Sequence, residues 1–136
     1  VYKDYLVRCG YGNADVSLNE ADFWNFGPLG ISPVEQVKLL KNFHDGKLPF
    51  SKRNMDIVKR VMITEQNAVD TLRSKTGWTM AGAINCGWWV GYLKTKGQVY
   101  FFATQLLQDR KNNRPDFSRC RKDITRAILK ELQILD

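Results

Sequence analysis

The spacing of apolar residues changes along this chain from helical to alternating, and the changes mark out its elements. Val1, Tyr5, Leu6 and Cys9 are spaced as on the last turns of a helix, which Gly10 closes in the left-handed position beyond its end. No capping residue precedes that helix within the chain. Residues 11 to 30, YGNADVSLNEADFWNFGPLG, are rich in Gly, Asn, Asp and Pro, which predicts an ordered loop region. Helical spacing returns at Ser32-Pro33-Val34-Glu35, a capping box with proline at the first helical position. It predicts a helix from Pro33 to about His44, with Val34, Val37, Leu40 and Phe43 on its apolar side. After the tight connection GKLPF, Ser51 caps a second helix that carries Met55, Val58, Val61 and Met62 at helical spacing.

From Asp70 the period shortens to two. Residues 70 to 78, 86 to 95 and 98 to 107 are rich in β-branched and aromatic side chains, and Lys96-Gly97 forms a hairpin turn between the last two, so three antiparallel strands are predicted. QVYFFA, at 98 to 103, is nearly apolar throughout, which predicts that both faces of that strand are covered. Residues 116 to 135 place Ile124, Ala127, Ile128, Leu132 and Ile134 or Leu135 on one side of an amphipathic helix able to cover the sheet. The fold class is therefore α+β, an α/β sandwich in which helices cover an antiparallel sheet. Neither repeats nor linkers divide the chain.

With 136 residues, 43% of them apolar and 26% charged, the chain has the size and composition of one globular domain, and it holds no apolar run long enough to span a membrane. It opens at Val1 with neither a signal-peptide profile nor a Met, so its start reads as processed or cut. The net charge of +7 raises the question of a nucleic-acid partner. The basic residues gather between Lys94 and Lys130 without a recognised nucleic-acid motif, and they read as a solvated face with no nucleic acid bound. Cys9, Cys86 and Cys120 are widely separated, and His44 lies far from each of them. That spacing gives no metal site and fits packing cysteines, with one disulfide compatible.

Chemistry concentrates in Lys75-Thr76-Gly77. The lysine supplies a positive charge, the threonine a donor for an anionic group, and the glycine lets a flat ligand lie against the backbone, so the triplet suits an anionic acyl substrate. A K-T-G triplet belongs, with S-x-x-K and S-D-N, to the motifs of serine β-lactamases and penicillin-binding proteins. In order along this chain stand Tyr11-Gly12-Asn13, Phe23-Trp24 with Gly27 and Leu29, and Ile31-Ser32-Pro33-Val34-Glu35-Gln36. Leu48-Pro49-Phe50, Lys75-Thr76-Gly77-Trp78, Gly87-Trp88-Trp89-Val90-Gly91 and Tyr100-Phe101-Phe102-Ala103 follow. Together they resemble the C-terminal portion of class D (oxacillinase-type) serine β-lactamases, over the whole length of the chain.

The resemblance implies a β-lactamase/transpeptidase-like domain with its N-terminal half missing. It implies that Lys75 and Thr76 face the substrate carboxylate beside Gly77, and that Arg121, in the R-K-x-I segment, pairs with that carboxylate. The backbone N–H of Trp78 matches an oxyanion-hole donor. Tyr11-Gly12-Asn13 stands at the family's counterpart of S-D-N, where a turn closing a helix is an equally good role. Trp24 matches a tryptophan that hydrogen-bonds the family's catalytic lysine, carboxylated by CO₂, although a core role is open to it. The chain departs from the pattern: Ser17, Ser32, Ser51, Ser74 and Ser118 are followed three residues on by Glu20, Glu35, Asn54, Gly77 and Arg121, so S-x-x-K is absent. The family's S-x-V is missing upstream of Tyr11, and the segment QDRKNNRPDFSRC before Arg121 is longer than in many members. The expected partners are a β-lactam, the missing N-terminal half and, through uncovered surface, a second copy of the chain. The expected location is periplasmic or secreted. The alternative is the β-lactam sensor domain of a related membrane receptor.

Overall fold

The computed structural model describes residues 1–18, 22–80, 82–112 and 114–135. Its elements run in the order α1 (Tyr2–Cys9), α2 (Phe23–Phe26), α3 (Pro33–His44), α4 (Lys52–Val61), β1 (Ile63–Gln66), β2 (Thr71–Thr79), β3 (Ile84–Thr95), β4 (Gln98–Asp109), a 3-10 turn (Arg110–Asn112) and α5 (Phe117–Glu131). The four strands form one antiparallel sheet in sequence order. The caps are those the sequence predicts. Ser32 Oγ accepts the Glu35 N–H at 3.3 Å, the Glu35 carboxylate accepts the Ser32 N–H at 2.8 Å, and Ser51 Oγ accepts the Asn54 N–H at 3.2 Å. Each such cap contributes about 1 kcal/mol. Gly10 ends α1 in the left-handed conformation.

The sheet buries both faces at its centre. On one side Leu72, Trp89, Leu93 and Phe102 form a cluster with Ile134 and Leu135, beneath α5. On the other, Tyr92 meets Phe43 of α3 and Met55 of α4, with Leu48, Met62, Val99 and Phe101 around them. Trp89 and Tyr92 are each 2% exposed. Alternation along β3 sends these two side chains to opposite faces, which is why one strand anchors both layers.

The structure departs from the sequence expectation in several places: α2 (Phe23–Phe26) forms inside the segment read as an ordered loop, and Val34, expected on the apolar side of α3, is 64% exposed. A fourth strand, β1, precedes Asp70 and carries ITEQ, too short and too polar to show alternation, with a register shift between Ile63 and Glu65. The side of α5 that meets the sheet is Phe117, Arg121, Thr125 and Leu129, while Ile128 is 51% and Leu132 62% exposed and Ile124 and Ala127 also face outward. The polar pair on the buried side is satisfied by two tertiary contacts and one bond within the helix: Arg121 Nη1 donates to Gly77 O at 2.9 Å, Thr125 Oγ1 lies 2.5 Å from Thr104 Oγ1, and Thr125 Oγ1 donates to Arg121 O at 2.7 Å. In β4 only Phe102 is fully buried, because the strand is the last in the sheet. In α4, Met55 is buried but Val61 is exposed. The three cysteines are free and partly buried. Among the described residues, no helix is long and apolar enough to cross a membrane.

Candidate active site

Antiparallel register places Lys75 opposite Val90, Gly77 opposite Trp88 and Thr79 opposite Cys86, so these six residues share one face of the sheet. Gln105, opposite Trp88 on β4, extends the row. Across from them the 24–31 segment, Tyr11 and Gln36 close a cleft of about 450 Å³. Of the residues singled out in the sequence, Tyr11, Trp24, Lys75, Thr76, Gly77 and Trp78 line it. Among the described lining residues Lys75 carries the only charge, so the cleft is apolar-walled and electropositive.

β1 pairs with β2 only at Thr71, Leu72 and Arg73, which leaves the edge of β2 beyond them open on the side away from β3. The Ser74 N–H points to that side, where it donates to Met62 O at 2.8 Å. Backbone N–H groups alternate in direction along a strand, so those of Thr76 and Trp78 turn to the same open edge. A pair of donors two residues apart on an uncovered edge can hold a carbonyl or oxyanion. Lys75 is exposed, and its Nζ donates to Thr76 O at 2.5 Å. At the far end of β2, Thr79 Oγ1 donates to Asn25 O at 3.3 Å and ties the strand to the Trp24 segment.

Trp24 is 53% exposed and packs edge-on against Phe23 with ring centroids 5.2 Å apart, and it forms a wall of the cleft. Tyr11 is half-buried, and its hydroxyl accepts from Gln36 Nε2 at 3.3 Å. Burial pushes that phenol's pKa up. Gly12 and Asn13 do a different job. A Cβ on Gly12 would lie 1.9 Å from Gly30 O, and Asn13 donates to Pro28 O at 2.8 Å while accepting from the Gly30 N–H at 3.0 Å. They fasten the 28–30 segment to the end of α1, and only Tyr11 of the three reaches the cleft.

Arg121 approaches the same strand from the opposite face. It is 7% exposed, its Nη1 donates to Gly77 O at 2.9 Å, and its Cζ lies 5.6 Å from the centre of the Trp78 ring. Its Nε is buried without a hydrogen-bond partner, and burial lowers its pKa. A guanidinium in a protein nonetheless stays charged. Gly77 thus sits between a lysine on the cleft side and a guanidinium held behind it. Arg119 pairs with exposed Asp123 at 3.1 Å, and Lys122 lies 5.9 Å from the Trp89 ring centre, so neither neighbour reaches Gly77.

Sequence reasoning missed the cleft-lining roles of Cys86, Trp88, Val90, Gln105 and Gln36. Alternation around Trp88 would have identified the first three once the register of β3 against Lys75 was fixed. Gln36 carries no local signal. A wider surface depression of about 800 Å³, lined by Lys52, Arg53 and Arg73 among others, contains none of the singled-out residues.

The family model for the penicillin binding protein transpeptidase domain matches residues 1–130. β-Lactamase OXA-20 of Pseudomonas aeruginosa is 38% identical over 133 residues, which cover 98% of this chain and 47% of that protein. Regulatory protein BlaR1 of Bacillus licheniformis is 36% identical over 110 residues, or 80% of this chain and 18% of that one. The crystal structure of a class D β-lactamase from Sebaldella termitidis superimposes with a TM-score of 0.91 at 39% identity, covering 99% of this chain and 54% of that one. The chain spans about half the length of the β-lactamases it matches. It belongs to the penicillin-binding protein transpeptidase domain family, and over nearly its whole length it is similar to class D β-lactamases.

Proposed function

We propose that this chain is the substrate-binding part of a class D serine β-lactamase, which opens the amide of a penicillin through a serine acyl-enzyme. The observation that carries this reading is the arrangement around Gly77: Lys75 in the cleft, Arg121 behind the strand, and the Trp78 N–H on the open edge. In the proposed reaction the β-lactam carboxylate lies at Thr76 and Gly77, between Lys75 on the cleft face and Arg121 on the α5 face. That fixes the amide carbonyl along the open edge of β2. The Trp78 N–H then donates to the carbonyl oxygen as negative charge develops there, a contribution made mainly to the transition state. The nucleophile comes from outside this chain, because no serine in it belongs to an S-x-x-K.

The general base implied by the family is a lysine carboxylated by CO₂, which would lie outside this chain and would supply a basic group for the serine proton. Trp24 fits a contact with it, since its ring stands exposed at the cleft and its indole N–H can donate to an acceptor brought from outside. The family places such enzymes in the periplasm or outside the cell. A second reading, a β-lactam sensor domain, is favoured by the match to BlaR1 over 80% of this chain. The two differ in the fate of the acyl-enzyme, which the sensor would retain and the enzyme hydrolyse.

The test is to incubate a penicillin with the chain alone and with the chain joined to an N-terminal segment carrying S-x-x-K, measuring intact mass and turnover. The chain alone gains no adduct, and the joined protein turns over. An acyl adduct on any serine of the isolated chain would overturn the proposal, and a lasting adduct without turnover in the joined protein would favour the sensor.

A further inference from the structure

A guanidinium carried by a helix reaches the backbone of a strand only if the sheet beneath it leaves room. Gly87 lies on β3 directly opposite Trp78 on β2 and Leu106 on β4, on the face that α5 covers. A Cβ at Gly87 would meet Arg121 Nη1 at 3.2 Å and Phe117 Cε1 and Cζ at 3.2 and 3.3 Å. Gly77 differs, since a Cβ there would meet only the Trp88 Cβ, at an ordinary 3.6 Å. Of the glycines on the α5 face, Gly91 is closed off by β2, and Gly87 is the one whose missing side chain leaves room for Arg121 and Phe117 of α5.

The slot around the guanidinium is defined on its other sides as well. The Phe117 ring packs edge-on against Trp78 at 5.3 Å, and the Trp78 ring faces Arg121 at 5.6 Å. The helix is tied to the sheet at Thr125, whose hydroxyl lies 2.5 Å from Thr104 Oγ1 on β4. With helix and sheet fixed to each other, the group able to give way is the end of the arginine side chain. The same Nη1 that an added methyl would touch is the one bonded to Gly77 O.

We propose that Gly87 is a positioning residue for substrate binding: its missing Cβ sets the depth at which the Arg121 guanidinium lies against Gly77, and with it the affinity for the substrate carboxylate. This rests on the reading that Arg121 binds that carboxylate. An alanine at 87 displaces the guanidinium by a few tenths of an ångström. It adds no charge or polar group and leaves the cleft face of β2 untouched.

The experiment measures KM and kcat for a penicillin in the protein joined to its serine-bearing segment, for Gly87→Ala and Arg121→Ala beside the parent. Gly87→Ala raises KM about five-fold with kcat within about two-fold, the pattern of weakened ground-state binding. A purely structural loss would lower the active fraction, hence kcat, at unchanged KM. An unchanged KM in Gly87→Ala beside a raised KM in Arg121→Ala overturns the positioning role alone. An unchanged KM in both removes the carboxylate reading, and this proposal with it. If Gly87→Ala does not fold, the comparison moves into the Phe117→Leu background, where the ring contacts are gone and the Arg121 contact remains. There, equal KM with and without Gly87→Ala overturns the proposal.

Discussion

The indole of Trp89 donates to Ser74 Oγ at 2.9 Å, inside the sheet and one residue before Lys75. Ser74 Oγ also lies 3.1 Å from Thr64 Oγ1 on β1, so three strands meet at one hydroxyl. The two sides of this relay are unequal. Trp89 is 2% exposed, whereas Thr64 is at the surface of a short edge strand. Ser74→Ala strands a buried N–H and costs about 1 to 3 kcal/mol, while Thr64→Val costs less than about 1 kcal/mol. Urea midpoints of the two variants check the order. Equal losses would mean that the buried indole is not what makes the hydroxyl important.

Exposed apolar surface leads to the second prediction. Tyr2 and Val7 on α1 are exposed, α1 buries no residue, and Ile124, Ile128 and Leu132 form an outward stripe on α5. β4 is also a 12-residue strand at the end of the sheet. A long edge and uncovered apolar faces favour association with further chain. The isolated chain therefore self-associates, and sedimentation velocity shows its mean mass rising with concentration. A stable dilute monomer with a sharp two-state melt would contradict this.

The third prediction concerns acid. Asp116, at the start of α5, is bonded by Arg114 at 2.8 Å and by the Cys120 thiol at 3.4 Å, and its carboxyl pKa falls from 3.8 to about 2. A carboxylate whose pKa is lower in the folded state stabilises the fold above its unfolded value, near pH 4. That contribution is lost as pH falls through about 2. Asp116→Asn therefore lowers the melting temperature at pH 6, and the gap to the parent narrows between pH 4 and pH 2. A gap that is constant with pH would show that the side chain acts without its charge. The effect is small, because the pair is near the surface and screened by solvent.

What the sequence discloses follows from where each signal is stored. α3 and the start of α4 are legible because Ser32, Glu35 and Ser51 act within one turn of themselves. β2 to β4 are legible because alternation and the Lys96-Gly97 turn set period and register locally; both turn residues have the positive φ that such a turn uses. The buried side of α5 is hidden because Arg121 and Thr125 look like surface residues until Gly77 and Thr104 are brought to them. β1 is hidden because ITEQ carries one apolar residue and pairs with β2 over three positions. The Lys75 strand could be picked out by its triplet, whereas Gln36 and Gln105 reach the cleft only through tertiary structure.

The last prediction separates the three basic residues at the start of α5. Arg121 is buried against Gly77, Arg119 is engaged with Asp123 at the surface, and Lys122 is exposed, 5.9 Å from the centre of the Trp89 ring. A buried guanidinium offers its fork of donors in fixed geometry, while an exposed ammonium is readily replaced by water and salt. In the protein joined to its serine-bearing segment, Arg121→Ala raises KM by the equivalent of about 1.5 to 3 kcal/mol, the range of a charge-assisted hydrogen bond. kcat changes less, because the carboxylate contact exists before as well as during reaction. Lys122→Ala and Arg119→Ala leave KM within about two-fold, as surface substitutions usually do. Steady-state kinetics on a penicillin, beside a substrate analogue with its carboxylate esterified, checks the assignment: the ester is insensitive to Arg121→Ala. If Lys122→Ala or Arg119→Ala impaired binding while Arg121→Ala did not, the carboxylate would be held at the helix surface, and the contact from Arg121 to Gly77 would serve the fold alone.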